Sequence, residues 1–156
     1  MIKDLSIYKR ILVTGGAGFI GGCLIRRLLN QSKSLVFNLD KIGYASDLEG
    51  IQSSTGSERH QLLQVDLTNF KETSLALERA DPDLIFHLAA ESHVDRSIDN
   101  PRIFIDNNII GTFNLLEATR GHFKNLNQQR KNNFRLLHIS TDEVFGSLGD
   151  QGSFTE

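Results

Sequence analysis

Asp142 and Glu143 stand side by side at the finish of an apolar run, Leu136-Leu137-His138-Ile139-Ser140-Thr141. Where a parallel strand of an open α/β sheet stops, side chains face the crevice that holds the ligand, and two carboxylates there could act as acid and base. The alternative is a solvated loop after a strand, the usual setting of acidic residues. Successive side chains of a regular strand point to opposite faces, so the pair can share one site only if the strand ends first, by about Thr141. A second polar segment, Ala89-Ala90-Glu91-Ser92-His93-Val94-Asp95-Arg96-Ser97, directly follows another apolar run. Small Ala89 and Ala90 would let a ligand pass close to the backbone while Ser92 offers a hydroxyl. Otherwise this is a polar loop with a surface pair, Asp95 and Arg96.

A third segment gives such residues something to act beside. Thr14-Gly15-Gly16-Ala17-Gly18-Phe19-Ile20-Gly21 lies between a strand-like and a helix-like stretch. Glycines permit a tight turn and let backbone N–H groups approach a pyrophosphate, which the positive end of the following helix stabilises. Asp40 ends the second apolar run, roughly 20 residues beyond the last glycine, as a dinucleotide fingerprint requires. A carboxylate there accepts the ribose hydroxyls of NAD and repels the 2'-phosphate of NADP, although Lys41 could blunt that repulsion. Asp66, ending the third run, is placed either to meet the adenine side or to cap a helix. Asn107 and Asn108 are poor helix formers inside a helical stretch, which points to a polar role toward the cleft or to plain exposure. His87, His93 and His138 share no face at ligand spacing with a Cys or carboxylate third, so no metal is expected.

These segments need a scaffold, and the pattern supplies one. Short aliphatic runs alternate with longer stretches of helical period, the mark of βαβ units, and predict an α/β fold with a Rossmann-like, doubly wound parallel sheet and flanking helices. Strands are expected at Ile11–Thr14, Leu35–Asp40, Gln61–Val65, Leu84–Leu88 and Phe134–Ser140, with a first helix over Gly18–Asn30. An irregular Gly/Ser/Thr-rich stretch precedes the third strand. Asn69 with Glu72 has the form of a reciprocal capping box, and Asp81-Pro82-Asp83 that of a turn. Asn100-Pro101 opens a helix that runs through Phe113, Leu115 and Leu116. Lys124 to Asn133 reads as a surface connection.

The chain has 156 residues, enough for one domain, and 17 basic against 19 acidic residues leave no basic face for nucleic acid or an anionic membrane. Small-molecule partners fit better. A single cysteine, Cys23, cannot form an internal disulfide, and the opening residues lack a signal-peptide run, so a cytoplasmic protein is expected. No stretch approaches the ~20 apolar residues of a membrane span.

Taken together, the Gly15, Gly18, Gly21 spacing, the run from His87 to Ser97 and Ser140-Thr141-Asp142-Glu143-Val144-Phe145-Gly146 resemble the amino-terminal part of the dTDP-glucose 4,6-dehydratase family, in the extended short-chain dehydrogenase/reductase superfamily. The resemblance implies a lyase of nucleotide-sugar metabolism and deoxysugar biosynthesis. In such enzymes a sugar oxidised at C4 by NAD has an acidified C5 proton, which a Glu removes while an Asp protonates the departing C6 hydroxyl. Carried over, Glu143 is the general base and Asp142 the general acid, and Ser92 and Thr141 hold the substrate. Gly15, Gly18, Phe19, Ile20, Gly21, Asp40, Lys41, Ile42, Gly43, Asp66, Leu67, Leu88, Ala89, Ala90, Glu91, Ser92 and Asn107 line the NAD. A general acid must hold its proton near neutral pH, which calls for burial or a like-charged neighbour, and Glu143 is such a neighbour. Asn107 stands where the family usually has Thr, and Asp40-Lys41-Ile42-Gly43 lacks its usual Leu-Thr. A homodimer through helices of this domain is expected.

The superfamily's Tyr-x-x-x-Lys is expected beyond Glu156, because the two tyrosines, Tyr8 and Tyr44, are followed at that spacing by Leu12 and Leu48. The chain therefore reads as a partial Rossmann domain over residues 1–156, without the sugar-nucleotide part and inactive alone. The alternatives are a stand-alone, non-catalytic dinucleotide-binding module and a related sugar-nucleotide epimerase or decarboxylase.

Overall fold

The computed structural model describes residues 4–47, 58–146 and 151–154. The alternating runs form β1 (Arg10–Thr14), α1 (Phe19–Gln31), β2 (Leu35–Asp40), β3 (His60–Gln64), α2 (Phe70–Ala80), β4 (Leu84–His87) and β5 (Arg135–His138). All strand pairs are parallel, and the five strands lie in the order β3-β2-β1-β4-β5. This is the Rossmann-like arrangement that the alternation predicts. The chain winds outward first on one side of β1 and then on the other, so a crevice opens at the carboxyl ends of β1 and β4. Thr14 pairs with Leu39 on one side and His87 on the other, which brings the ends of three strands level.

The two-residue period of the strands divides the core. Leu12, Phe37, Leu39 and Ile85 pack with Leu77 of α2 on one face, while Ile11, Val13, Val36 and Leu84 pack with Ile25 and Leu28 of α1 on the other. The central strands are mostly apolar because both faces are covered, with Thr14 and His87 as buried polar residues at their carboxyl ends.

Between β4 and β5 the structure departs from the expected elements. The segment read as a loop contains α3 (Val94–Asp99), and the single helix expected from Pro101 is α4 (Pro101–Phe104), a π-helical stretch (Ile105–Gly111) and α5 (Thr112–Asn125). Asn100 does not cap with its side chain, although Pro101 occupies the first turn as expected. At α2 half of the expected capping box forms. Asn69 Oδ1 accepts from the Glu72 N–H, but the Asn69 N–H already donates to the Asp66 carbonyl, so Glu72 has no donor to return to. Lys124 to Asn133 is not a plain connection either, since it carries the end of α5 and α6 (Gln128–Asn133), capped by Asn127. Its polarity has a partner: Arg130 donates from Nε to Asp83 at 2.8 Å and from Nη1 to Asp81 at 2.9 Å, clamping the turn before β4. The Gly/Ser/Thr-rich stretch before β3 lies largely outside the described residues.

Candidate functional site

The carboxyl ends of β1, β2, β3 and β4 open onto a cleft of about 850 Å³. At its floor Gly15 takes a left-handed backbone (φ 69°), and a Cβ there would meet the Ala89 backbone at 2.7 Å. The turn can therefore lie against the loop after β4 only as glycine. A Cβ on Gly21 would run into the Gly15 carbonyl, which is how the first turn of α1 closes onto the same loop. Gly18 caps α1 without any side-chain bond, and no acidic residue lies in the first turn. Among the described residues no side chain answers the N–H groups of that turn, which border the cleft as an anion site requires.

Asp40 closes the neighbouring side. Its Oδ2 accepts from the Ala17 N–H at 3.0 Å and its Oδ1 from the Ile42 N–H at 2.8 Å, which fixes the carboxylate toward the glycine turn with lone pairs to spare. Every residue expected to line a dinucleotide borders this cleft except Ile42. Ile42 has a positive φ of 59° and serves through its backbone, holding Asp40. Asp66 accepts from the Thr68 N–H at 2.8 Å, a local turn before α2, and also lines the cleft. Asn107 and Asn108 both reach the cleft side: Asn107 Oδ1 accepts from Lys41 Nζ, and Asn108 exchanges two hydrogen bonds with the Glu91 backbone. The wider turn of the π-helix accompanies this pair of neighbouring contacts, and such stretches gather at functional positions.

The two residues expected as acid and base follow β5 at the same sheet edge. β5 stops at His138, and Asp142 and Glu143 fall in a 3-10 turn (Asp142–Phe145), so the strand ends before the pair as the two-residue period demanded. Thr141 donates to Asp142 at 3.3 Å. Asp142 does not border the cleft, which the chain reaches just after β5 at Ile139, and it is exposed, so of burial and a like-charged neighbour, the two ways for an acid to keep its proton, burial is not met. The side chain of Glu143 lies outside the described residues. Ser92 lines the cleft and is exposed.

Two features were not anticipated from the residues. Tyr44 and Arg96 meet across the rim, with the guanidinium 3.7 Å from the ring centre, and both line the cleft. Beneath the glycine turn, buried His87 joins three elements: Nδ1 lies 2.6 Å from Thr14 Oγ1 and Nε2 lies 2.9 Å from Thr112 Oγ1. Thr14 Oγ1 also accepts from the Ala89 N–H at 3.3 Å. A histidine closing an otherwise apolar buried strand was the available signal, since a buried polar group needs partners.

Burial first, and then the neighbouring His138, push the His87 pKa down from 6.5 to about 4. The folded chain thus resists a proton that the unfolded chain accepts. The stability that neutral His87 supports is whole above pH 6.5 and is lost as the pH falls toward and through about 4. Between pH 7 and pH 5 this amounts to roughly 2 kcal/mol. Urea unfolding at the two pH values should show that loss, and His87→Gln should remove most of it; an unchanged pH dependence in the variant would assign the loss to other groups.

Sheet order, glycine turn and strand-end acid together define a class, the Rossmann-like domain with its ligand cleft at the topological switch point. The chain belongs to the GDP-mannose 4,6 dehydratase family, whose model matches residues 12–156. It is 48% identical over 147 residues to a probable dTDP-glucose 4,6-dehydratase of Sinorhizobium fredii, covering 94% of this chain and 42% of that protein. With the dTDP-glucose 4,6-dehydratase of Salmonella typhimurium the identity is 46%, over 89% of this chain and 38% of that one. The chain thus spans about two fifths of the length of these curated relatives. Among solved structures it resembles the dTDP-glucose 4,6-dehydratase DesIV of Streptomyces venezuelae, determined with NAD and TYD bound (TM-score 0.77, 36% identity, 92% of this chain and 42% of that one). It also resembles the Thermus thermophilus UDP-glucose 4-epimerase in complex with NAD (TM-score 0.65, 32% identity, 72% of this chain and 34% of that one). No helix among the described residues is long and apolar enough to cross a membrane.

Proposed function

We propose that this chain forms the NAD-holding part of a nucleotide-sugar 4,6-dehydratase that acts on dTDP-glucose. The observation that carries the reading is the uncapped first turn of α1 facing a cleft whose other wall presents Asp40. NAD bound there would supply oxidation of the sugar at C4 and later reduction at C6. In this reading the first-turn N–H groups hold the pyrophosphate, Asp40 accepts the adenosine ribose hydroxyls, and Ala89 and Ala90 leave room beside the backbone. Ser92 and Thr141 hold the sugar nucleotide, Glu143 takes the C5 proton and Asp142 gives one to the C6 hydroxyl. The position of Asp142 and Glu143 in a turn after β5, at the same sheet edge as the cleft, supports their part in this reading. A homodimer belongs to the same proposal. Ile109, Phe113 and Leu116 leave an exposed apolar face on the π stretch and α5, and sedimentation at the monomer mass would count against it.

The cofactor assignment is tested by titration. NAD should bind more tightly than NADP, and Asp40→Ala should narrow the gap by about 1 to 3 kcal/mol, the cost of leaving hydrogen-bonding groups unpaired. Equal affinities in the unmodified chain would sink the assignment.

A further inference from the structure

Lys41 follows Asp40 and borders the same cleft. A free ammonium at that position would attract the 2'-phosphate that separates NADP from NAD, and so work against the carboxylate beside it. In the structure the ammonium is already engaged. Nζ donates to Glu91 Oε1 at 2.8 Å and to Asn107 Oδ1 at 2.9 Å, which occupies two of its three hydrogens.

Both acceptors are themselves held in place. The Glu91 N–H donates to Asn108 Oδ1 at 2.8 Å and Asn108 Nδ2 donates back to the Glu91 carbonyl at 2.9 Å, so the residue bearing the carboxylate is fixed at its backbone. Asn107 Nδ2 donates to the Ile103 carbonyl at 2.8 Å, which leaves its Oδ1 for the lysine. The Glu91 side chain is only 16% exposed and that of Lys41 39%, so the pair is partly screened by solvent and salt, and the second bond to Asn107 helps to hold the ammonium. The tether therefore runs from the loop after β2, across the cleft, to the loop after β4 and the π-helical stretch.

We propose that Glu91 determines the specificity of the cleft for the unphosphorylated dinucleotide: it holds Lys41 in an ion pair, away from the 2'-position, and leaves the charge of Asp40 uncompensated. The inference rests on the NAD reading of the cleft. Glu91 acts through Lys41 and is a positioning residue. Glu91→Gln keeps the size of the side chain and removes its charge, which leaves the ammonium with neutral acceptors only, over which a 2'-phosphate competes.

Titration of the full chain with NAD and with NADP, in the unmodified form and in Glu91→Gln, Lys41→Gln and the double variant, tests this. The ratio of the NADP to the NAD dissociation constant should fall at least about tenfold in Glu91→Gln and return to the unmodified value in the double variant. Lys41→Gln alone should leave the ratio within about threefold, because a tethered ammonium contributes little to discrimination. This last arm stands even if the Glu91 variant fails to fold. A ratio unchanged by Glu91→Gln, a fall that persists without Lys41, or a ratio that rises steeply in Lys41→Gln overturns the inference while NAD binding stands. Binding of neither dinucleotide to the unmodified chain overturns the NAD reading together with it.

Discussion

Incubated with NAD and dTDP-glucose, the 156-residue chain is expected to release no 4-keto-6-deoxy product. A C5 proton is far too weak an acid for Glu143 to remove unless C4 is already a ketone, and forming that ketone needs a base for the 4-hydroxyl. Neither tyrosine of this chain fits that task. Tyr8 is 5% exposed in the core with Leu12 four residues on, and Tyr44 stacks on Arg96 at the rim with Leu48 four residues on, so neither has the lysine that would accompany it. General-base assistance is typically worth about 10² to 10⁴ in rate. Loss of the orientation that the accompanying lysine would give removes several more kcal/mol. Product analysis after long incubation checks this. Clear turnover that Glu143→Gln abolishes would show that another residue replaces the tyrosine.

A large effect of a single substitution on the fold and cleft is expected at Gly15, where both the backbone conformation and the space exclude a Cβ. Gly15→Ala forces a Cβ onto a backbone at φ 69° and drives it within 2.7 Å of the Ala89 N and Cα. The left-handed backbone costs about 1 to 2 kcal/mol and the overlap about 1 to 3 more, together a large part of an ordinary domain's stability. The glycine turn and the loop after β4 must separate, so NAD binding should be lost along with the stability. Gly121→Ala is the control, since a Cβ there meets nothing within 4 Å; in an exposed stretch of α5 it should stabilise by roughly 0.5 to 1 kcal/mol. Denaturant unfolding and NAD titration of both variants decide the matter. If Gly15→Ala unfolds like the unmodified chain and keeps its NAD affinity, the close contact with Ala89 is not what shapes the cleft.

What was legible in the residues was whatever depends on period and on local chemistry. The strand period of two and the helical period of 3.6 are properties of the chain itself, so the five strands, α1 and the parallel winding follow from the order of apolar residues, with strand ends shifted by only one or two positions. Glycine spacing and Asp40 were legible for the same reason, because a tight turn and a strand-end carboxylate are local requirements. Contacts between distant segments were not. Nothing near Lys41 in sequence announces Glu91 and Asn107, 50 and 66 residues away, and only the winding of the sheet brings the two loops and the π-helical stretch to one edge. The polar stretch before β5 reads as solvated because no periodicity reveals that Arg130 will meet Asp81 and Asp83, 49 and 47 residues back. His87, legible only as a histidine in an apolar run, acquired partners on β1 and α5 once those elements packed around it. The tertiary structure alone decided these pairings, because a hydrogen bond requires atoms within about 3 Å, and that distance exists only after the core has set the elements against one another.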